Sequence, residues 1–395
     1  MRDEHERQHR APSAENRTPL LKAENYDPPL RTDNGDLNFP IHMQILSATS
    51  AFPKYYYSQE MLFAALQQYW GDRLAKPEVL RRLHRNVGVD GRFLSLPIDA
   101  YPKLTGWGEA NDHWIRVALE LGHCSVSRAL TAAGLSGREV GAFFFTSVTG
   151  IASPSIDARL INRMGLSANI KRVPMFGLGC VAGAAGIARA ADYVRAYPDQ
   201  AAVVLAVELC SLTLQRDDLS MANLISAGLF GDGAATVVVA GDECKPLKPP
   251  TGPRVIATRS VFYPETEEMM GWDVSEKGFR IVLSPEVPNL IRRQLGDDVD
   301  SFLADLGRTR HDVGSWVLHT GGPKVLQATA SALGLENGQL SASWDCLRRV
   351  GNLSSASVLV VLEDVMKNRR PEPGTLGVLA AMGPGFCSEL VALEW

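Results

Sequence analysis

The sequence has no surplus of positive charge: 40 Lys and Arg stand against 44 Asp and Glu in 395 residues, a formal net charge of -4. Charge-driven nucleic-acid binding is therefore excluded, because no excess of cations is available to displace counterions. No apolar run reaches the roughly 18 residues of a membrane-spanning helix, so no membrane span is expected. Six cysteines are too few for a disulfide framework, and they show neither Cys-x-x-Cys pairs nor metal-ligand spacing, so no metal site is expected. The start, MRDEHERQHR, is charged where a secretory signal is apolar. These absences point to a cytoplasmic protein with reduced thiols. What is present is an ordinary globular composition, 45% hydrophobic and 21% charged. The chain is long enough for two domains, or one duplicated fold, with a sizeable core.

Residues 1–37 are rich in charge and proline, with one aromatic, Tyr26. Such a segment buries too little apolar surface to offset its chain entropy and is expected to be a mobile arm. From Ile41 the pattern alternates. Strands are expected over 41–49, 140–148, 173–178, 201–207 and 234–240. Helices are expected over 58–69, capped by Ser58, then 113–133, ending at Gly134, and over 154–164 and 181–195. The strands are continuous Val, Ala, Leu and Phe runs, as in a sheet covered on both faces. A second series follows the Pro-rich stretch 241–253. It has strands at 255–262, 315–318, 376–382 and 390–394, and helices at 287–306, 324–333 and 354–367. The chain thus reads as an arm (1–37) and two successive α/β halves, 38–243 and 244–395.

Three residues could carry chemistry. Cys180, in MFGLGCVAGAAG, follows a Gly-Leu-Gly turn and precedes a helix that opens with small residues. At a helix N-terminus the macrodipole favours the nucleophilic thiolate. A buried structural thiol is the ordinary reading of a lone cysteine; the turn shifts the balance towards function. His319, in WVLHTGGPKVL, ends a strand, where ligands bind in open α/β sheets. A satisfied core histidine is an equal alternative. Asn352, in VGNLSSASVLVVLEDV, has turn or cap as its ordinary reading. Its place before a small-residue helix start repeats that of Cys180, which suggests an internal duplication with one shared site. Cys, His and Asn are also the papain set, but the local protease signature is missing. The glycine cluster 230–234 is expected to be a turn into the next strand, and Gly383-Pro384-Gly385 a backbone loop near the site; neither matches a phosphate-binding pattern.

GLGCVAGAAG, FGDGAA, HTGGP, GNLSSASV and GPG, in this order and spacing, resemble the type III polyketide synthases, the chalcone and stilbene synthase family, from about residue 40 to the end. The wording around Cys180 and Glu208-Leu209-Cys210 looks more like bacterial members. The resemblance implies a thiolase fold, two duplicated α/β halves in a five-layered αβαβα arrangement, working as a homodimer. It implies that Cys180 takes a starter acyl group from acyl-CoA, and that His319 and Asn352 hold the malonyl-CoA thioester carbonyl for decarboxylation. Coenzyme A thioesters are then the substrates and no cofactor is needed. A thiolate–imidazolium pair of Cys180 and His319 would supply the nucleophile. Two donors at the enolate oxygen would each be worth about 10²–10³ in rate.

Further expectations follow from the resemblance. Phe230 matches one gatekeeper phenylalanine; the second falls at Ile281, and the methionine that crosses the dimer interface falls at Ser153. The floor positions Thr149, Cys210 and Thr213 are small. Together with Gly383, Pro384 and Gly385 they suggest a pocket for a long aliphatic starter, as in alkylpyrone and alkylresorcinol synthases. Glu208 with Thr213 could supply a base for aldol closure, with lactonisation to a pyrone ranked first. Arg82 matches a coenzyme A phosphate contact, and Arg81 and Arg85 could assist; a solvated helix face is a strong alternative for all three. A ketoacyl synthase III-like enzyme making a single condensation shares the Cys-His-Asn set. It typically carries His-Gln-Ala-Asn where this chain has His319-Thr320-Gly321-Gly322-Pro323. A non-catalytic acyl-binding protein is the reading from another class.

Overall fold

The apolar runs become strands that are sealed on both faces: all nine residues of 201–209 are buried. The computed structural model describes residues 43–74, 76–247, 251–336 and 338–395; the arm expected over 1–37 lies outside them. The first series contains β1 (Met43–Ala51), β2 (Tyr55–Ser58), β3 (Gly91–Leu94), β4 (Val140–Thr146), β5 (Lys171–Met175), β6 (Ala201–Leu209) and β7 (Asp232–Ala240). Its helices are α1 (Gln59–Trp70), α2 (Pro77–Asn86), α3 (Trp107–Ala133), α4 (Ile156–Met164), α5 (Ala182–Ala196) and α6 (Met221–Leu229). The second contains β8 (Arg254–Phe262), β9 (Met270–Ser275), β10 (Gly278–Leu283), β11 (Val313–Leu318), β12 (Leu376–Gly383) and β13 (Cys387–Glu394). Its helices are α7 (Val287–Ala304), α8 (Pro323–Leu333), α9 (Ser341–Val350) and α10 (Ser357–Asn368).

Nine strands form one sheet in the order β11-β12-β13-β8-β1-β7-β6-β4-β5. In the first half β4 and β6 are parallel, and β7 is antiparallel to both β6 and β1. In the second half β11 and β12 are parallel, and β13 is antiparallel to both β12 and β8. Matching β4 with β11, β6 with β12, β7 with β13 and β1 with β8 reproduces both order and direction. Only β5 lacks a counterpart among the described residues. β1 and β8 meet antiparallel through Met43–Val255 and Gln44–Arg254, as a local two-fold relating the halves requires.

The period-2 alternation of side chains explains the layers. In β6, Ala202, Val204 and Ala206 face a central core with α5 and α10, to which β12 and β13 add Leu379, Ala381, Val391 and Leu393. Val203, Leu205 and Val207 face an outer core under α3 and α4. Val378, Ala380, Leu390 and Ala392 face a second outer core under α7 and α8. The order is helix, sheet, helix, sheet, helix: the expected thiolase-type fold.

Local signals act as expected where they are local. The Ser58 side chain accepts from Met61 N at the start of α1, and Gly134 closes α3 in the left-handed conformation. Two corrections concern boundaries. Helix α3 begins at Trp107 rather than 113. Residues 230–234 are not all turn, because β7 starts at Asp232, whose buried carboxylate accepts from Ser95 and Ser211.

Candidate active site

Cys180 sits in a single 3-10 turn, Gly179–Val181, that feeds α5. Gly179 has a φ of 52°, and a Cβ there would lie 2.6 Å from Pro384, so both conformation and space require glycine. The second half repeats the device: the 3-10 turn Ser354–Ala356 feeds α10, and Ser354 has a φ of 47°. Aligned by these turns, Ser355 is the counterpart of Cys180, and Asn352 lies upstream of the turn. That corrects the expected equivalence of Cys180 and Asn352. The turns meet because Gly183 lies directly on the Ser355 carbonyl, where any side chain would overlap it.

At this meeting the Cys180 thiol donates to Ser354 Oγ at 3.6 Å. Asn352 is held by its main chain, with N donating to Leu229 O at 2.9 Å and O accepting from Gly231 N at 3.0 Å. Its Oδ1 accepts from Ser354 N at 2.8 Å and Ser357 Oγ at 3.2 Å. The amide oxygen is thus used twice, leaving the Nδ2 hydrogens for another acceptor. His319 follows β11, and its N donates to Ala380 O on β12 at 3.0 Å. Its ring Nδ1 is sealed without a partner. Strand β12 ends at Gly383, where a Cβ would lie 2.6 Å from Leu178 O and 2.7 Å from Val181 N. The strand beside His319 therefore packs on the Cys180 turn, and so does the Gly383-Pro384-Gly385 loop through Pro384.

Burial governs the charges. It pushes the Cys180 thiol up to about 12, with a further push from the Glu208 charge, and the His319 imidazole down to about 4. Desolvation opposes both charges of the expected thiolate–imidazolium pair. Glu208 is fully buried, and burial raises its carboxyl to about 7. It accepts from Ser355 Oγ (2.5 Å), Thr149 Oγ1 (2.9 Å), Val148 N (3.2 Å) and Ser147 Oγ (3.3 Å). Thr213 is not among these donors; its hydroxyl bonds Cys210 O at 2.8 Å. Among the described residues Glu208 and Thr213, expected together to supply a base for ring closure, share no hydrogen bond.

A cavity of about 1110 Å³ opens beside these elements, with Cys210, Thr213, Phe230 and Ile281 among its lining residues. Phe230, which lines this cavity, forms a parallel bridge with Asn352. Thr149, Ser153, Glu208 and the Gly383–Gly385 loop do not line it. Thr149 is committed to Glu208, and Ser153, in a cis peptide with Pro154, is exposed. Arg81, Arg82 and Arg85 are exposed on α2, with Arg81 4.7 Å over the Phe63 ring. The sequence reading missed Ser354, whose backbone repeats Gly179, Ser355 and Arg92. Among the described residues no group of three or more His, Cys, Asp and Glu is placed to hold a metal ion, and no helix is long and apolar enough to cross a membrane.

Residues 46–243 match the N-terminal domain of the chalcone and stilbene synthases, and residues 254–394 match their C-terminal domain. The chain belongs to this family. It is a type III polyketide synthase. As such it is an acyltransferase that works by decarboxylative condensation on coenzyme A thioesters, without a further cofactor. It is similar to 1,3,6,8-tetrahydroxynaphthalene synthase of Streptomyces peucetius subsp. caesius, with 49% identity covering 89% of this chain and 93% of that protein. It is 32% identical to phloroglucinol synthase of Pseudomonas fluorescens, covering 87% and 97%. The crystal structure of tetrahydroxynaphthalene synthase from Streptomyces coelicolor A3(2), a bacterial type III polyketide synthase, aligns with a TM-score of 0.83 and 30% identity. That alignment covers 89% of this chain and 99% of the other.

Proposed function

We propose that Cys180, His319 and Asn352 are the catalytic residues of this polyketide synthase. The observation that carries the reading is the meeting of the two 3-10 turns, which sets the buried sulfur against the segment holding the Asn352 amide. In loading, the Cys180 sulfur attacks the starter thioester carbonyl while its proton passes to His319 Nε2 and on to the departing coenzyme A sulfur. No group at Nδ1 fixes the tautomer, so Nε2 can accept a proton here and donate a hydrogen bond later. Malonyl-CoA then loses carbon dioxide. The electron pair left behind spreads onto the thioester oxygen, where His319 Nε2–H and Asn352 Nδ2–H stabilise it. The new carbanion attacks the acyl group on Cys180, a carbon–carbon bond forms, and the sulfur leaves as a thiolate that recovers a proton. The apolar surroundings disfavour the malonyl carboxylate and so assist its loss.

For the product, the first reading is an aromatic polyketide made from malonyl-CoA alone, supported by the 49% identical tetrahydroxynaphthalene synthase. Oxygens on alternate carbons of a naphthalene are the pattern of two-carbon units joined head to tail, with no alkyl starter. The second reading is a long-chain aliphatic starter ending in an alkylpyrone or alkylresorcinol; the cavity of about 1110 Å³ beside Phe230 favours it. Arg82, with Arg81 and Arg85, would take the coenzyme A phosphates. A homodimer fits the half-exposed edge strand β5, which among the described residues pairs only with β4. Mass spectrometry of products from malonyl-CoA alone, and with a panel of acyl-CoAs, tests both readings. A hydroxylated naphthalene without added starter supports the first; product formed only with fatty acyl-CoA overturns it. Absence of carbon dioxide release overturns the catalytic assignment.

A further inference from the structure

Arg92 is a buried cation that the reaction above leaves unused. It lies on β3 and is 4% exposed. Its fork ends on main-chain carbonyls: Nη1 donates to Phe230 O at 2.5 Å and Nη2 to Ala227 O at 2.7 Å, while Nε is sealed without a partner. Asp232 supports its charge from a distance, but the carboxylate is engaged by Ser95 and Ser211. Burial pushes the guanidinium down to about 10, still charged at neutral pH. Two hydrogen bonds to neutral carbonyls offset the cost of burying such a group only in part, so its contribution lies in what it holds.

What it holds is the end of α6. The last carbonyls of a helix lack intrahelical donors, and a cation there complements the helix dipole. Immediately beyond, Leu229 O accepts from Asn352 N and Gly231 N donates to Asn352 O. The Arg92 stem lies against both segments of this bridge. A Cβ on Gly351 would lie 3.1 Å from Arg92 Cδ, and one on Gly231 would lie 3.5 Å from Arg92 Cβ. We infer that Arg92 is a positioning residue: by clamping the end of α6 it fixes the Phe230–Asn352 bridge, and with it the direction in which Asn352 presents Nδ2 and Phe230 its ring to the malonyl thioester. The inference rests on the enolate role proposed for Asn352. A lysine does not replace the clamp, because an ammonium lacks the planar fork that reaches two fixed carbonyls.

The test separates the two half-reactions. Acylation of Cys180 is followed as labelled protein thioester formed from acyl-CoA without malonyl-CoA, and decarboxylation as carbon dioxide released from malonyl-CoA. In Arg92→Lys and Arg92→Met, decarboxylation is expected to fall by at least about tenfold, as for a misplaced catalytic group, with acylation unchanged. In the Arg92→Lys/Asn352→Ala double variant, loss of Arg92 is expected to add little to the effect of Asn352→Ala. The charge-retaining Arg92→Lys decides the matter if Arg92→Met does not fold. Decarboxylation at the wild-type rate in Arg92→Lys, or an equal loss of acylation, overturns the role of Arg92. Asn352→Ala alone reports on the underlying reading: normal decarboxylation there removes the enolate assignment, whatever the Arg92 variants do.

Discussion

The sulfur of Cys180 lies 3.6 Å from the hydroxyl of Ser354, so the thiol is met by a residue from the other half of a duplicated fold. Ser354 occupies the position that Gly179 holds in the first half, with φ of 47° against 52°. A side chain in that backbone region is strained, and here the strained residue is the one that touches the sulfur.

This contact tunes the thiol. Once the thiol ionises, the Ser354 hydroxyl can turn and donate to the sulfur anion, which lowers the pKa of Cys180 against the larger upward push of burial. Ser354→Ala should therefore slow alkylation of Cys180 by iodoacetamide, by about threefold to tenfold. Ser354→Gly should slow it equally while melting higher than the Ala variant, because glycine accepts the positive φ. Alkylation as fast as in the wild type in both variants would remove Ser354 from the nucleophile's environment.

Cys180→Ala should abolish condensation, because no acyl-enzyme can form. Cys180→Gln should still release carbon dioxide from malonyl-CoA, since the donors proposed at His319 and Asn352 remain. Asn352→Ala and His319→Ala should each lower that release by about 10²–10³. Carbon dioxide measured per folded enzyme decides; a Cys180→Gln variant with no release would mean that the sulfur takes part in decarboxylation itself.

Much of this site was legible in the chain because its signals are local. A Gly-Leu-Gly turn before Cys180, and continuous Val and Ala runs for β6 and β7, need nothing from distant residues to be read. The rest depends on partners far along the sequence. Helix α6, MANLISAGL, carries Ser and Gly and gives a weak helical pattern; Arg92, on β3, holds its end. Glu208 sits inside the apolar strand β6, and only the folded chain brings Ser355, Thr149 and Val148 to it. Ser354 was hidden because nothing in Ser-Ser-Ala-Ser marks a left-handed residue. Hairpin β9–β10, which delivers Ile281 to the cavity, is too short and half-exposed to stand out.

Cys210 lines the cavity wall from the turn after β6 and is buried. Cys210→Phe fills space there. Product chain length should shorten, by one or more malonyl units, while carbon dioxide release from malonyl-CoA persists. Mass spectrometry of the product mixture is the measurement. An unchanged distribution would mean that the growing chain does not occupy this cavity.

Glu208 makes stability depend on pH. Its carboxyl is raised from the ordinary 4.5 to about 7 by burial, so between these values the folded state binds more protons than the unfolded chain. The slope of unfolding free energy with pH is then negative. The contribution is fully present below 4.5 and is lost as pH rises through 7, a swing of about 3 kcal/mol at about 1.4 kcal/mol per pH unit. Glu208→Gln removes the titration. Its amide can turn NH₂ towards Ser355 Oγ, which then accepts, and keep an oxygen on Val148 N. The stability of Glu208→Gln relative to wild type should therefore increase from pH 5 to pH 8 in urea unfolding, with the wild type losing ground as its buried carboxylate ionises. The buried histidines His84 and His319 titrate in both proteins and cancel in the difference. A difference that stays flat across this range would mean that Glu208 ionises in the fold as readily as in the unfolded chain.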